Sequence, residues 1–279
     1  MCRKTMRRTG IAGICLFLLA GFSLEALFAP KPDLWADWQA HDAASTQKVD
    51  HSAWDRLLAR YRSVGEDGIA LVDYGKFSDA DRKALDSYVA GLANTRVSLL
   101  NRAEQFAYWV NLYNSLTVKV VLDAGIPKSI LDIDISPGLF ADGPWGKKLL
   151  TIEGREVSLN DIEHRILRPI WKDPRIHYAV NCASLGCPDL PEKAFTPSNT
   201  EEKLEAAARA YVNHPRGARL VDGVLHVSSI YVWFAEDFGG EAGVLKHLAR
   251  YARADLANRI RQLTATAGHS YNWDLNKVN

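Results

Sequence analysis

Cysteine is scarce in this chain: there are four in 279 residues, and only Cys182 and Cys187 lie beyond the first 30 positions. A hydrophobic core must therefore carry the fold, and a chain of this length with 47% apolar residues can bury one of substantial size. An excess of one charge sign is also missing, since 34 Lys and Arg face 33 Asp and Glu. Without residues 1–29 the balance is about −2, so no polyanion partner is expected. No run of Lys and Arg is interleaved with aromatics, which argues against nucleic-acid binding. Internal repeats, low-complexity tracts and alternating βαβ units are absent, which argues against solenoids and doubly wound parallel sheets.

What is present begins with a targeting pattern. Arg3, Lys4, Arg7 and Arg8 precede an uncharged, mostly apolar run from Gly10 to Leu24, shorter than the roughly 20 residues that a spanning helix needs. Residues 1–29 thus read as a secretory signal, or as an anchor if uncleaved, because Pro30 and Leu27 make the cut after Ala29 a poor one. The expected location is the periplasm or cell envelope, with membrane contact only through that segment. Residues 30–50 are polar with scattered Trp and read as a linker to one globular domain over 51–279.

Within that domain, His51 and Ser52 precede an amphipathic helical stretch through Trp54, Leu57, Leu58 and Tyr61, and apolar spacing predicts further helices at Ala80–Leu92, Arg102–Ala124, Glu201–Val212, Ala242–Arg250 and Ala252–Leu263. Hairpins are expected around Glu153-Gly154 and Asp222-Gly223, with a short strand near Ile69–Val72. Ser158 with Asp161 marks a further helix start. The fold class is α+β, with a helix-rich N-terminal half and a long central helix on a small antiparallel sheet. A link to papain-like or transglutaminase-like enzymes is an analogy at the level of fold.

Chemistry concentrates in Asp173-Pro-Arg-Ile-His-Tyr-Ala-Val-Asn-Cys-Ala-Ser-Leu-Gly-Cys-Pro188. Arg175–Asn181 alternates like a strand and feeds a loop holding Cys182, Ser184 and Cys187. One reading bonds the two cysteines, whose Cα atoms could reach the required 4.4 to 6.8 Å, roughly, if the loop folds back at Gly186 and Pro188. A second makes Cys182 a nucleophile served by an imidazole. On a regular strand His177 would lie about 16 Å from Cys182 and on the opposite face, leaving His164 or His226 freer to reach it. A third makes His177, Cys182 and Cys187 metal ligands, although H-x4-C-x4-C matches no common zinc module.

Two other segments carry polar groups. Glu163 and His164 are adjacent on a helix, about 100° apart, so they are not expected to face each other. Gln105, Tyr108, Asn111, Asn114 and Ser115 form a polar stripe on the long helix, which must be bonded internally or line a cavity. Asn111 or Asn114 could then donate to substrate or to an oxyanion.

Trp109-Val-Asn111-Leu-Tyr113-Asn114-Ser-Leu-Thr117, Ile162-Glu163-His164 with Leu167-Arg168, Asp173-Pro-Arg-Ile-His177 leading to Cys182 and Cys187-Pro188, and Glu236-Asp237-Phe238 occur in this order. In them the chain resembles the family known as domain of unknown function 547, from about residue 95 to 240, and Tyr271–Asn276 fits as well. The resemblance implies a site at His164, His177, Cys182 and Cys187, with Asp237 as a further candidate, and names no reaction. The leading expectation is a thiol-dependent hydrolase or acyl transferase acting on amide or peptide bonds, without a cofactor. Cys182 would be its nucleophile, His164 or His177 its base, and Asn111 or Asn114 the orienting group. The rival is a non-catalytic envelope module, stapled by a Cys182–Cys187 disulfide, that binds a small molecule or peptide.

Overall fold

The computed structural model describes residues 29–138 and 143–278. Residues 1–28 of the expected leader over 1–29, with Cys2 and Cys15, lie outside these residues. Among the described residues no helix is long and apolar enough to cross a membrane.

Helix α1, Ser52–Tyr61, buries Trp54, Leu57, Leu58 and Tyr61, the spacing of a single apolar face. Hairpin β1–β2, Arg62–Val64 with Ala70–Val72, follows it. Helix α2, Asp79–Ala93, starts at Ser78, whose side chain accepts from the Asp81 amide. Helix α3, Arg102–Asp123, is capped in the same way by Asn101 and is buried on every side from Glu104 to Val118. It ends at Gly125, whose φ of +77° is the left-handed conformation that glycine adopts without a Cβ clash. Hairpin β3–β4, Leu150–Ile152 with Arg155–Val157, then leads into Ser158.

Ser158 and Asp161 cap each other reciprocally, as the sequence predicts. The helix then widens into a π-helical stretch over Asp161–Leu167 before α4, Arg168–Trp171. Such wide turns often mark functional sites. Helix α5, Thr200–Val212, and hairpin β5–β6, Ala218–Val221 with Val224–Ser228, follow. Then come α6, Ile230–Trp233, α7, Gly240–Tyr251, and α8, Ala254–Ile260. Strand β7, Gly268–Ser270, pairs in parallel with β6. Among the described residues the architecture is α+β, with three small sheets dispersed around the helices.

The buried side chains form two clusters. One surrounds α3 and takes in α1, α2 and the π-helical turn. The other joins α5, α6, α7 and the β5–β6 hairpin.

Two expectations are corrected here. Residues 30–50 are docked on the domain and are no free linker: Trp38 is buried against Trp109, Glu104 accepts from the Val49 amide, and Gln105 donates to the Ala40 carbonyl. Arg175–Asn181 is not a strand, because Pro174–Tyr178 forms a 3₁₀ turn capped by Asp173. Pro174 presets φ, and Arg175 is held by Asp173, Glu201 and Glu205. Ile176, His177 and Tyr178 are all buried, so the alternation did not report an inside and an outside.

Candidate active site

A cleft of about 720 Å³ opens where the two clusters meet. The cysteine loop forms one wall. Its shape is set by residues 271–276, which run against it: the Leu185 and Gly186 amides donate to Asp274 and Asn272, and the Asn276 amide donates to Ala183. A Cβ on Gly186 would stand 2.8 Å from the Asn272 nitrogen, so only glycine admits this approach. Ala183 takes a left-handed φ of +60°, a strained conformation at the residue after Cys182.

Cys182 and Cys187 are free thiols, so the stapled loop is corrected. Hydrogen bonds to residues 272–276 fix the reversal instead. Cys182 is half-buried and lines the cleft. Its amide donates to Cys187 Sγ at 2.9 Å, and its Sγ lies 3.0 Å from Tyr271 Oη and 3.2 Å from Ser184 Oγ. Burial raises a thiol pKa, but bonds from Cys187, Ser184 and Tyr271 outweigh it and hold Cys182 below its ordinary value. Burial, together with the neighbouring Cys182 sulfur, pushes Cys187 well up.

The π-helical turn and the 3₁₀ turn supply the facing groups. Glu163 and His164, on the π-helical turn, both line the cleft, with Oε1 and Nδ1 at 3.9 Å. His177 Nε2 bonds Asp237 Oδ2 at 2.7 Å, and its Nδ1 lies 3.7 Å from Glu163. Its ring stacks on Phe234 at 4.4 Å. Buried Arg168 donates to Asp237 and to His164 Nδ1, and its guanidinium lies over the same Phe234.

These contacts fix charge. Burial works against ionised Glu163, but His164, His177 and Arg168 outweigh it and hold the carboxyl down at about 2. Asp237 is held at about 2 in the same way, burial being outweighed by His177 and Arg168. Burial lowers His177, yet its bonds to Asp237 and Glu163 raise it above the ordinary imidazole value. Burial drives His164 down to about 4, beyond what Glu163 restores. Arginine only donates, so His164 Nδ1 accepts; the ring proton is thereby assigned to Nε2, and the neutral imidazole is a donor.

The sequence candidates divide sharply. Cys182, Cys187, Glu163, His164 and His177 border the cleft, and Ser184 and Asp237 bond to them. Asn111 and Asn114 are fully buried and occupied: Asn111 exchanges two bonds with Phe195, and Asn114 joins Ala179 to Asn181. His226 lies on β6 against Gly268, away from the cleft. Among the described residues no three His, Cys, Asp or Glu side chains converge to hold a metal, so His177, Cys182 and Cys187 do not form a ligand set.

Sequence reasoning missed Tyr113, Arg168, Phe234 and Tyr271 as site residues. Tyr113, one helical step from Asn114, brings α3 to the cleft. Trp145, Trp233, Tyr271 and Trp273 form its aromatic wall, with Tyr271 and Trp273 centroids 4.6 Å apart.

Fold and cleft define an α+β domain with a thiol wall facing a charged histidine cluster. Residues 97–212 match the family model described as "Protein of unknown function, DUF547". No curated protein and no solved structure matches the chain.

Proposed function

We propose that the cleft is the active site of a thiol-dependent hydrolase or acyl transferase acting on amide or peptide bonds in the cell envelope. The observation that carries this reading is the Cys182 thiol on the cleft wall, its pKa lowered by three donors. The sulfur attacks the carbonyl carbon, a thioester forms, and the thiol proton passes through the Tyr271 and Ser184 hydroxyls to the departing amine. Water, or an acceptor amine, then takes the acyl group and returns the proton to sulfur. His164 serves as an N–H donor to the oxyanion and not as the base, since its Nδ1 is spent on Arg168. His177, bonded to Asp237 and near Glu163, positions that cluster. Export rests on the basic and apolar pattern of residues 3–24.

The test is acyl transfer from p-nitrophenyl acetate, followed by intact mass. One acetyl group should appear on Cys182, with a burst of nitrophenol, and Cys182→Ser should fold normally and lose both. An unchanged burst in that variant refutes the reading.

The aromatic wall favours a second reading, a non-catalytic module that holds a ligand by stacking on Trp233 and Trp273. It predicts ligand-dependent tryptophan fluorescence with no acyl adduct.

A further inference from the structure

We propose that the cleft receives an extended polypeptide, whose backbone pairs with the turn from His164 to Arg168, and that residues 29–35 of this chain occupy that subsite in cis. The inference deepens the proposed action on peptide bonds, and rests on that reading only for what happens at Cys182.

The turn is built to accept a backbone. The Arg168 amide reaches back five residues to the Glu163 carbonyl. In that register the donor for the His164 carbonyl would come from Pro169, which has no N–H. The His164 and Arg165 carbonyls instead accept from the amides of Asp33 and Trp35, each at 3.0 Å. Alternate amides of an extended segment therefore bond to consecutive carbonyls of the turn, with main-chain groups supplying the pairing as in strand addition. A third contact runs the other way. Arg168, with its side chain 3% exposed, donates from Nη1 to the Pro30 carbonyl at 2.7 Å.

A buried guanidinium that also binds Asp237 and His164 thus reads a peptide carbonyl at the edge of the cleft. Ala29 and Pro30 line the same cleft as Cys182, so the segment leads its backbone toward the thiol. Side chains add register, because Asp33 pairs with Arg165, whose guanidinium also covers Trp35 at 4.7 Å.

The experiment uses the full chain and reads iodoacetamide labelling of Cys182 by mass. Asp33→Pro deletes the amide that bonds His164 together with the side chain that pairs with Arg165, whereas Asp33→Ala loses the side chain alone. Asp33→Pro should label Cys182 about fivefold faster than Asp33→Ala, the scale expected from losing a single hydrogen bond. The synthetic peptide Ala-Pro-Lys-Pro-Asp-Leu-Trp, added in excess, should return the Asp33→Pro rate to the parent value, and its reversed sequence should not. A near-ultraviolet spectrum and urea midpoint close to the parent's show that the variant is folded.

Equal labelling of Asp33→Pro and Asp33→Ala overturns the inference, as does equal protection by both peptides or by neither. Peptide protection without an acetyl adduct supports the subsite and rejects the enzyme. An acetyl adduct without peptide protection does the reverse.

Discussion

Tyr271→Phe isolates the source of thiol reactivity. The substitution removes one oxygen and keeps the ring that packs against Trp233 and Trp273. The lost oxygen lies 3.1 Å from Ser184 Oγ and 3.0 Å from Cys182 Sγ, where it donates to the thiolate. A hydrogen bond to a charged group contributes about 1.5 to 3 kcal/mol, which is roughly a ten- to hundredfold change in thiolate population. A more basic thiolate is also a better nucleophile, with a Brønsted slope of about 0.4 to 0.5, so about half of the logarithmic loss returns. The net expectation is alkylation slowed about three- to tenfold at pH values below the titration midpoint, with that midpoint moved upward. The assay is the iodoacetamide rate at Cys182 across pH, read by peptide mass against the parent. An unmoved midpoint, or faster labelling, would refute the claim that Tyr271 stabilises the thiolate.

Asn114→Ala should lower stability by about 2 to 4 kcal/mol, because the Ala179 carbonyl and Asn181 amide lose their buried partner. An unchanged urea midpoint with lost acyl transfer would instead give Asn114 the oxyanion role. Gly186→Ala should cost about 1 to 3 kcal/mol and disturb Cys182 labelling, since its Cβ would press the Asn272 backbone. A variant as stable as the parent would contradict that contact. Acid should unfold the protein partly through His51, which is buried against Tyr88 and lowered by burial from 6.5 to about 4. Its folded form resists a proton that the unfolded chain accepts, so stability is whole above pH 6.5 and falls toward about 4. In His51→Gln that leg of the urea-midpoint profile should flatten; an identical profile would assign the acid loss elsewhere.

Much of the scaffold was legible because local rules coincide with it. The cap at Ser158, the end of α3 at Ala124, and the Glu153-Gly154 and Asp222-Gly223 turns all lie where the sequence placed them. The site was less legible, because long-range contacts decide it. Cys182 could be named from its loop, but its donor Tyr271 lies 89 positions away. The π-helical turn that carries Glu163 and His164 to the cleft is invisible to a 3.6-residue period. The polar stripe pointed to two asparagines as functional, whereas their amides tie α3 to the loops around it. Tyr113 in the same motif reaches the cleft, and a tyrosine within an apolar pattern gave no reason to prefer it.

Both the earliest and the latest described segments meet at this cleft, Ala29 and Pro30 on its rim and residues 271–276 behind its cysteine loop. During synthesis Cys182 is made 89 residues before Tyr271, so a nascent or unfolded chain carries a thiol of ordinary reactivity. Acquisition of the fast-labelling thiol should therefore coincide with the final closure of the chain and not with formation of the helical core. In refolding from urea, Cys182 reactivity would act as a clock for the last step, trailing the far-ultraviolet signal of α3.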